Sequence, residues 1–250
     1  MDQGRVLVFA FCFFHVSEKN RPFAVHTALL PLFPKSISGS PNTTHKKIEN
    51  VDENIFSCCC EFVYTGDYSL PGPISTASED AEYKSSNDDE PSQKAAEQWT
   101  PTHLTRNLFH PSRFPGVCRL ILERLDGIIV DKACPNTDPT EDYTNLFLGH
   151  AHVYRFGYRT DWASLCALSL YRIANILANF TLFEGRTGDV VRLLSFVFEE
   201  SEYMDNLRHL LRDYAVWNVG ILMKDVRFLE LLDRAPCLER DIFCSMWKSD

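Results

Sequence analysis

The sequence lacks several features that would assign a function directly. It has no glycine-rich nucleotide or phosphate loop of the G-x-G-x-x-G or G-x-x-x-x-G-K type, and no G-x-S-x-G nucleophile motif. It also has no basic run: 25 Lys and Arg stand against 34 Asp and Glu, giving a formal net charge of −9. Because nucleic acids and anionic membranes attract clustered positive charge, we expect neither to be a direct partner.

Metal-binding and disulfide patterns are missing as well. None of the nine cysteines forms a C-x-x-C pair, and their odd number and low density do not fit a secreted disulfide scaffold. His150 and His152 are two residues apart, so on a helix they point in different directions and cannot share a metal ion. We therefore expect reduced thiols in the cytoplasm or nucleus, no catalytic residues, no metal and no cofactor. A thiol or metal enzyme is the alternative from a different class.

What is present is a globular composition, with 45% hydrophobic, 12% aromatic and 24% charged residues in 250. The apolar run Val6–Phe14 is rich in β-branched and aromatic residues, which predicts a buried strand. A signal peptide is the alternative, although the segment that follows offers no small-x-small cleavage site. The same run is a candidate dimer strand, through Val6, Val8, Phe9 and Phe11.

Local sequence patterns predict a strand, a short helix, a loop and a longer helix as far as Gly66. A second strand is predicted around Phe23 and Val25, followed by a helical stretch that Pro31 and Pro34 limit to a turn or two. The polar stretch KSISGSPNTTHKK is predicted to be a loop. A well-marked helix then starts after Asp52, a good N-cap, and stops at Gly66.

An acidic segment interrupts the chain. From Pro71 to about Pro101 it is rich in Ser, Asp, Glu and Pro. Between Ser78 and Gln98 it contains seven acidic residues and only two lysines. So few apolar residues predict a disordered insert, with one short helix near 117–129 and the loop-like stretch KACPNTDPTEDYT after it.

From Asn145 onward the pattern predicts helices to the end. Thr187 is predicted to cap one helix, where Asp189 would complement the helix dipole, and Asp205 is predicted to begin another. The predicted buried faces include Phe147, Ala151, Tyr154 and Tyr158 in the first helix and Val226, Leu229 and Leu232 in the last one.

Three segments together resemble the BTB/POZ domain family, with the fungal members the nearest in character. Arg21–Leu30 is similar to the F-x-V-H-x-x-L-L segment of that family, and the stretch from Asp52 to Tyr68 is similar to D-x-x-x-F…F-x-Y-T-G-D-Y. The segment from Ala151 to Leu165 is similar to the helix pair A-x-x-Y-x-x-A-x-x-Y-x-x-x-x-L. The matching residues are Phe23, Val25, His26, Leu29, Leu30, Asp52, Phe56, Tyr64, Thr65, Gly66, Asp67, Tyr68, Tyr154, Tyr158 and Leu165.

The resemblance implies an α+β fold, a small sheet capped by helices, followed by an all-helical extension. It implies a BTB/POZ N-terminal part at 1–70, an acidic insert at 71–142, the family's C-terminal helices at 143–183 and a BACK-like extension at 184–250. The expected function is non-catalytic protein–protein interaction, with homodimerisation and recruitment of substrates to a cullin-based ubiquitin ligase. No clear hydrophobic-x-acidic cullin-contact motif is found, so a transcriptional or scaffold regulator without ubiquitin transfer is the alternative.

Overall fold

A computed structural model describes residues 10–16, 21–40, 43–75, 136, 138–199 and 202–247. Of these residues 65% are helical, and the remainder includes a small sheet, so the mixed α+β class with a helical C-terminal region is confirmed. The chain divides into two compact units, one from Met1–Leu70 and His152–Cys166, the other from Pro71–Ala151 and Ala167–Asp250. Within the described ranges, no helix is long and apolar enough to cross a bilayer.

The sheet of the first unit has three strands in the order β2-β1-β3: β1 (Phe11–Val16), β2 (Arg21–His26) and β3 (His45–Ile48). β1 pairs antiparallel with β2 and parallel with β3. Alternate residues of β1 are fully buried, as expected for a strand with one face on the core: Cys12, Phe14 and Val16.

The predicted strand at Val6–Phe14 is confirmed at 11–14. Ala10 lies outside the strand, which starts at Phe11 and continues two residues past Phe14, to Val16. The physical reason is pairing: the register with β2 matches Val16 to Arg21 and so carries the ladder through the polar His15. Val6, Val8 and Phe9 lie outside the described residues, and of the candidate dimer strand only Phe11 is described.

The stretch predicted to be a loop after Pro34 is partly ordered. It contains α1 (Lys35–Ser38), which buries Ile37, and it runs into β3. β3 was missed because three of its four side chains are polar, and because it is held by backbone pairing with β1, which a side-chain pattern does not reveal. The predicted short helical stretch is confirmed as a 3-10 helix at Thr27–Leu32.

Helix α2 (Glu53–Thr65) has both of its predicted ends. The Asp52 side chain accepts a hydrogen bond from the Asn54 backbone N–H at 2.8 Å. At the other end, Gly66 adopts a left-handed φ of 81°, and its N–H donates to the Phe62 carbonyl. These two caps satisfy backbone groups that an α-helix cannot satisfy itself, which explains the sharp boundaries.

Aromatic side chains build the core of the first unit. Phe56 is fully buried, with ring centroids 5.4 Å from Phe14 and 5.3 Å from Phe23. Trp162 packs against Phe33 at 5.4 Å and Phe62 at 5.6 Å. The core thus joins the sheet, α2 and the segment after His152 within one unit.

The second unit contains a two-stranded ribbon and most of the helical residues. The ribbon pairs β4 (Ile74–Ser75) with β5 (Glu141–Asp142). The helices are α3 (Thr144–Arg159), α4 (Ala163–Asn179), a 3-10 helix (Glu184–Arg186), α5 (Thr187–Glu199), α6 (Asp205–Trp217), α7 (Val219–Leu222), α8 (Val226–Arg234) and α9 (Pro236–Trp247). The division between the units falls inside α3 and α4, whose residues belong partly to each unit.

β4 lies in the segment from Pro71 that was predicted to be a disordered insert, and β5 lies in the predicted loop-like stretch KACPNTDPTEDYT. Those predictions were therefore wrong at 74–75 and 141–142. Each strand has only two residues, too few for an alternating pattern to be visible. The helix predicted at 117–129 and most of the acidic segment lie outside the described residues.

Asp189 lies in the first turn of α5, as predicted, and it has a further role there. Its carboxylate accepts hydrogen bonds from the Tyr143 N–H at 3.0 Å and the Thr144 hydroxyl at 3.1 Å, and it pairs with Arg186 at 2.8 Å. Arg186 also pairs with Asp142 at 3.1 Å. The buried carboxylate therefore fixes the start of α3 to the start of α5, whereas the sequence indicated only a dipole effect.

Thr187 is the first residue of α5 rather than its cap. Its hydroxyl is within hydrogen-bond distance of the Glu184 carbonyl at 3.1 Å and the Asp225 carboxylate at 2.5 Å, both of them acceptors. The preceding turn is a 3-10 helix, so the α-helix continues from it without a separate N-cap.

The predicted buried face of α8 was wrong. Phe228 and Leu231 are fully buried, whereas Val226 is 66% exposed and Leu229 is 39% exposed. Both sets follow helical spacing, so periodicity alone could not choose between them. The packing of α8 against α5 and α9 determines which of the two faces is buried.

Candidate interaction surface

The predicted family-motif residues divide into a buried group and an exposed group. Most of them are buried or half-buried in the first unit: Phe23, Val25, Leu29, Leu30, Phe56, Tyr68, Tyr154 and Leu165. Tyr64 and Tyr158 are 47% and 42% exposed. Tyr158 was expected on the buried face, but it lies in the last turn of α3, just before the helix ends.

The Tyr-Thr-Gly-Asp-Tyr stretch forms the corner after α2. The Thr65 hydroxyl lies 2.9 Å from the Glu61 carbonyl and 2.8 Å from the Asp67 carbonyl, and it accepts a hydrogen bond from the Asp67 N–H. The Asp67 carboxylate accepts from the Tyr68 N–H at 2.8 Å, and the Tyr68 ring is buried. These contacts give Thr65, Gly66, Asp67 and Tyr68 a structural role.

His26 and Tyr64, from separate motif segments, meet at the surface. The Tyr64 hydroxyl accepts a hydrogen bond from the His26 backbone N–H at 3.1 Å and lies 2.7 Å from Nδ1 of the same histidine. Either group can be the donor in the second contact, because a phenol oxygen both donates and accepts hydrogen bonds. The two contacts with Tyr64 therefore fix the ring orientation of His26.

Phe11 completes this surface. Its ring centroid lies 4.6 Å from that of His26, and its side chain is 39% exposed. The Thr27 N–H donates to the Ala10 carbonyl at 2.9 Å, which holds the start of β1 beside the end of β2. We name Phe11, His26 and Tyr64 the aromatic surface. Rigid, half-exposed aromatic rings of this kind are typical anchors in protein interfaces.

A histidine pair lies elsewhere in the first unit. Nε2 of His15 is 3.0 Å from Nδ1 of His45, and the two rings stack at 5.3 Å. Nothing in the sequence places these residues together, because the contact depends on the parallel register of β1 and β3. Among the described residues no group of three or more His, Cys, Asp or Glu side chains could hold a metal ion.

The cysteines that the structure describes differ in burial: Cys12, Cys58 and Cys59 are buried, Cys60, Cys166 and Cys237 are half-buried, and Cys244 is exposed. Burial raises the pKa of Cys60 and of Cys166 to about 12, and it raises the pKa of Cys59 well above its ordinary value. The Cys58 thiol donates to the Ser69 carbonyl at 3.5 Å. Since the thiolate is the nucleophilic form, the raised pKa values make Cys59, Cys60 and Cys166 poor nucleophiles at neutral pH.

Comparisons with known proteins yield no relative. No family model matches the chain, and neither a curated protein nor a solved structure matches it.

Proposed function

We propose that the chain is a non-catalytic protein–protein interaction module of the BTB/POZ type. The observation that supports this most is the aromatic surface. His26 and Tyr64 both belong to the motifs that resemble the BTB/POZ family. They hold each other in a half-exposed position beside Phe11. Ordering side chains before a partner arrives lowers the entropy cost of binding.

The chemistry of the buried groups favours a non-catalytic role. The thiols at Cys59, Cys60 and Cys166 have raised pKa values because of burial, which disfavours a cysteine nucleophile. Free thiols that pack as small apolar groups are typical of proteins in a reducing compartment, so the proposed location is the cytoplasm or the nucleus.

The resemblance favours two partners for this module. One is a second copy of the chain, docked through the aromatic surface and the neighbouring start of β1. The other is a cullin, for which the chain would be the substrate adaptor of a ubiquitin ligase, with the helical residues after 184 free to hold the substrate. A transcriptional or scaffold regulator without ubiquitin transfer is the alternative within the same class.

Isothermal titration calorimetry of the purified chain with the N-terminal domain of a BTB-binding cullin distinguishes these roles. The adaptor role predicts a one-to-one complex with a Kd of about 1 μM or tighter, equivalent to roughly −8 kcal/mol. The N-terminal domain of a cullin from another class is the matched control and is expected to give no binding heat.

Absence of binding heat at two temperatures would contradict the adaptor role, because a single temperature can coincide with zero binding enthalpy. The scaffold or regulatory role would then be the better proposal.

A further inference from the structure

The first unit contains a pocket of about 400 Å³ outside the aromatic surface. One wall comes from the start of α2 and the residues before it, and the other wall comes from the second half of α3. The side chains that line the pocket include Asp52, Ile55, His152, Arg155, Phe156 and Arg159.

The α3 wall carries positive charge. Arg155 and Arg159 are four residues apart and His152 precedes Arg155 by three, a spacing that places all three side chains on one face of the helix. The pocket lining contains one carboxylate, that of Asp52, which accepts the Asn54 N–H at the cap of α2. Arg155, Arg159 and Asp52 together give the lining a formal charge of +1, in a chain whose formal net charge is −9.

Apolar side chains also line this pocket. Ile55 and Phe156 are each only 8% exposed, and both contribute to the lining. Arg155 is half-buried and Arg159 is exposed. The pocket therefore combines a largely buried apolar part with guanidinium groups, a combination that fits a ligand with an apolar group beside its negative charge.

We infer that this pocket binds an acidic peptide segment of a partner protein. An apolar side chain of the peptide contacts Ile55 and Phe156, and adjacent carboxylates pair with Arg155 and Arg159, whose planar guanidinium groups match carboxylate geometry. A phosphate group alone would use the charge and leave the apolar part unfilled. The inference rests on the proposed function, since it names the chemistry of a partner for the interaction module.

Fluorescence anisotropy with paired peptides tests the assignment. The probes are fluorescein-labelled peptides in which Asp and Glu flank a Leu or Phe, each with a twin that carries Asn and Gln instead. The acidic members are expected to bind the full chain with a Kd of about 100 μM or tighter, and the neutral twins at least about tenfold more weakly. Added salt should weaken only the acidic members.

Three variants sharpen the test. Arg155→Gln/Arg159→Gln should weaken acidic binding about tenfold, because two partly exposed ion pairs are lost. Arg21→Gln/Lys35→Gln removes two exposed positive charges from the same unit outside the pocket, and it should change the affinity less than about twofold. Asp52→Asn keeps a capping side chain while removing the carboxylate, so it should strengthen binding about threefold.

The inference is overturned if acidic and neutral peptides bind alike, if the Arg155/Arg159 variant binds as the Arg21/Lys35 variant does, or if Asp52→Asn weakens binding. Tighter binding of inorganic phosphate or of a short RNA than of any acidic peptide would also overturn it. If the chain self-associates or binds the cullin domain but no acidic peptide, only this inference fails. If all three kinds of binding are absent, the proposed function fails too.

Discussion

At the scale of single residues, the strongest constraints come from polar groups whose partners lie far along the chain. Tyr64 fixes His26 across 38 positions, and Asp189 fixes Tyr143 across 46. The motif residues were visible in the sequence, but the contacts between them were not, because hydrogen bonds between distant segments leave no periodic signal. The pocket at Arg155 and Arg159 could not be predicted from the sequence either, because it forms only where these side chains lie beside the start of α2.

Replacing Tyr64 with Phe should lower the free energy of unfolding by about 1 kcal/mol, because the His26 N–H and Nδ1 lose their shared partner at a site still accessible to water. Urea denaturation at neutral pH measures this change. Tyr203→Phe, at a tyrosine that is 62% exposed, is the control and should leave stability within about 0.5 kcal/mol. Equal effects of the two substitutions would contradict the role of the Tyr64 hydroxyl.

His150 predicts a dependence of stability on pH. Burial, helped by nearby Arg172, lowers the pKa of His150 to about 3 from an ordinary 6.5. Between pH 6.5 and pH 3 the imidazole is protonated in the unfolded chain but not in the folded chain. The free energy of unfolding therefore decreases as pH falls through this range. At pH 5 the loss should be about 2 kcal/mol relative to neutral pH.

The measurement is urea unfolding at several pH values for the wild type and for His150→Phe. Other groups also titrate, so the difference between the two pH profiles isolates His150. If both profiles fall by the same amount between pH 7 and pH 5, this account of His150 is wrong.

At the scale of secondary-structure elements, the ends of α2 could be predicted and the short strands could not. Asp52 and Gly66 act on backbone groups within a few residues of themselves, so local sequence is enough to place them. β3, β4 and β5 exist because of backbone pairing with distant partners. In α8, two apolar faces compete, and only tertiary packing selects Phe228 and Leu231 for burial.

Removing the N-cap of α2 gives a direct test at this scale. Asp52→Ala should lower the free energy of unfolding by about 1 kcal/mol, since the Asn54 N–H loses its acceptor at the helix start. Asp52→Ser keeps an acceptor and should stay within about 0.5 kcal/mol of the wild type. Thermal or urea denaturation compares the two, and an equal loss for both would show that the cap contributes little.

The Asp189 contacts predict a larger effect. Asp189→Ala should lower the free energy of unfolding by about 3 kcal/mol, because Arg186 and the Tyr143 N–H both lose a buried partner. Asp205→Ala, which removes an exposed acid in the first turn of α6, is the control and should cost about 0.5 kcal/mol. A loss below about 1 kcal/mol for Asp189→Ala would contradict the proposed fixing of α3 to α5.

At the scale of the whole molecule, the resemblance implied an α+β fold with a helical extension, and the structure confirms a mixed α+β chain with a helical C-terminal region. The interaction surfaces could not be predicted from the sequence in this way. Phe11, His26 and Tyr64 come from three elements, and their exposure depends on the sheet and on the end of α2. The resemblance to BTB/POZ domains pointed to His26 and Tyr64, and the apolar run Val6–Phe14 pointed to Phe11, but only the packing brings the three side chains together.

Sedimentation equilibrium tests most directly whether the chain acts by binding proteins through the aromatic surface. A reversible dimer with a Kd of about 1 to 10 μM is expected for the wild type, and Phe11→Ser/Tyr64→Ser should weaken it at least about tenfold, because two aromatic anchors are lost. The matched variant Tyr203→Ser/Trp217→Ser, which removes exposed aromatic rings from the second unit, should dimerise as the wild type does. A wild-type chain that stays monomeric up to about 100 μM, or a dimer that the Phe11/Tyr64 variant leaves intact, would contradict this account.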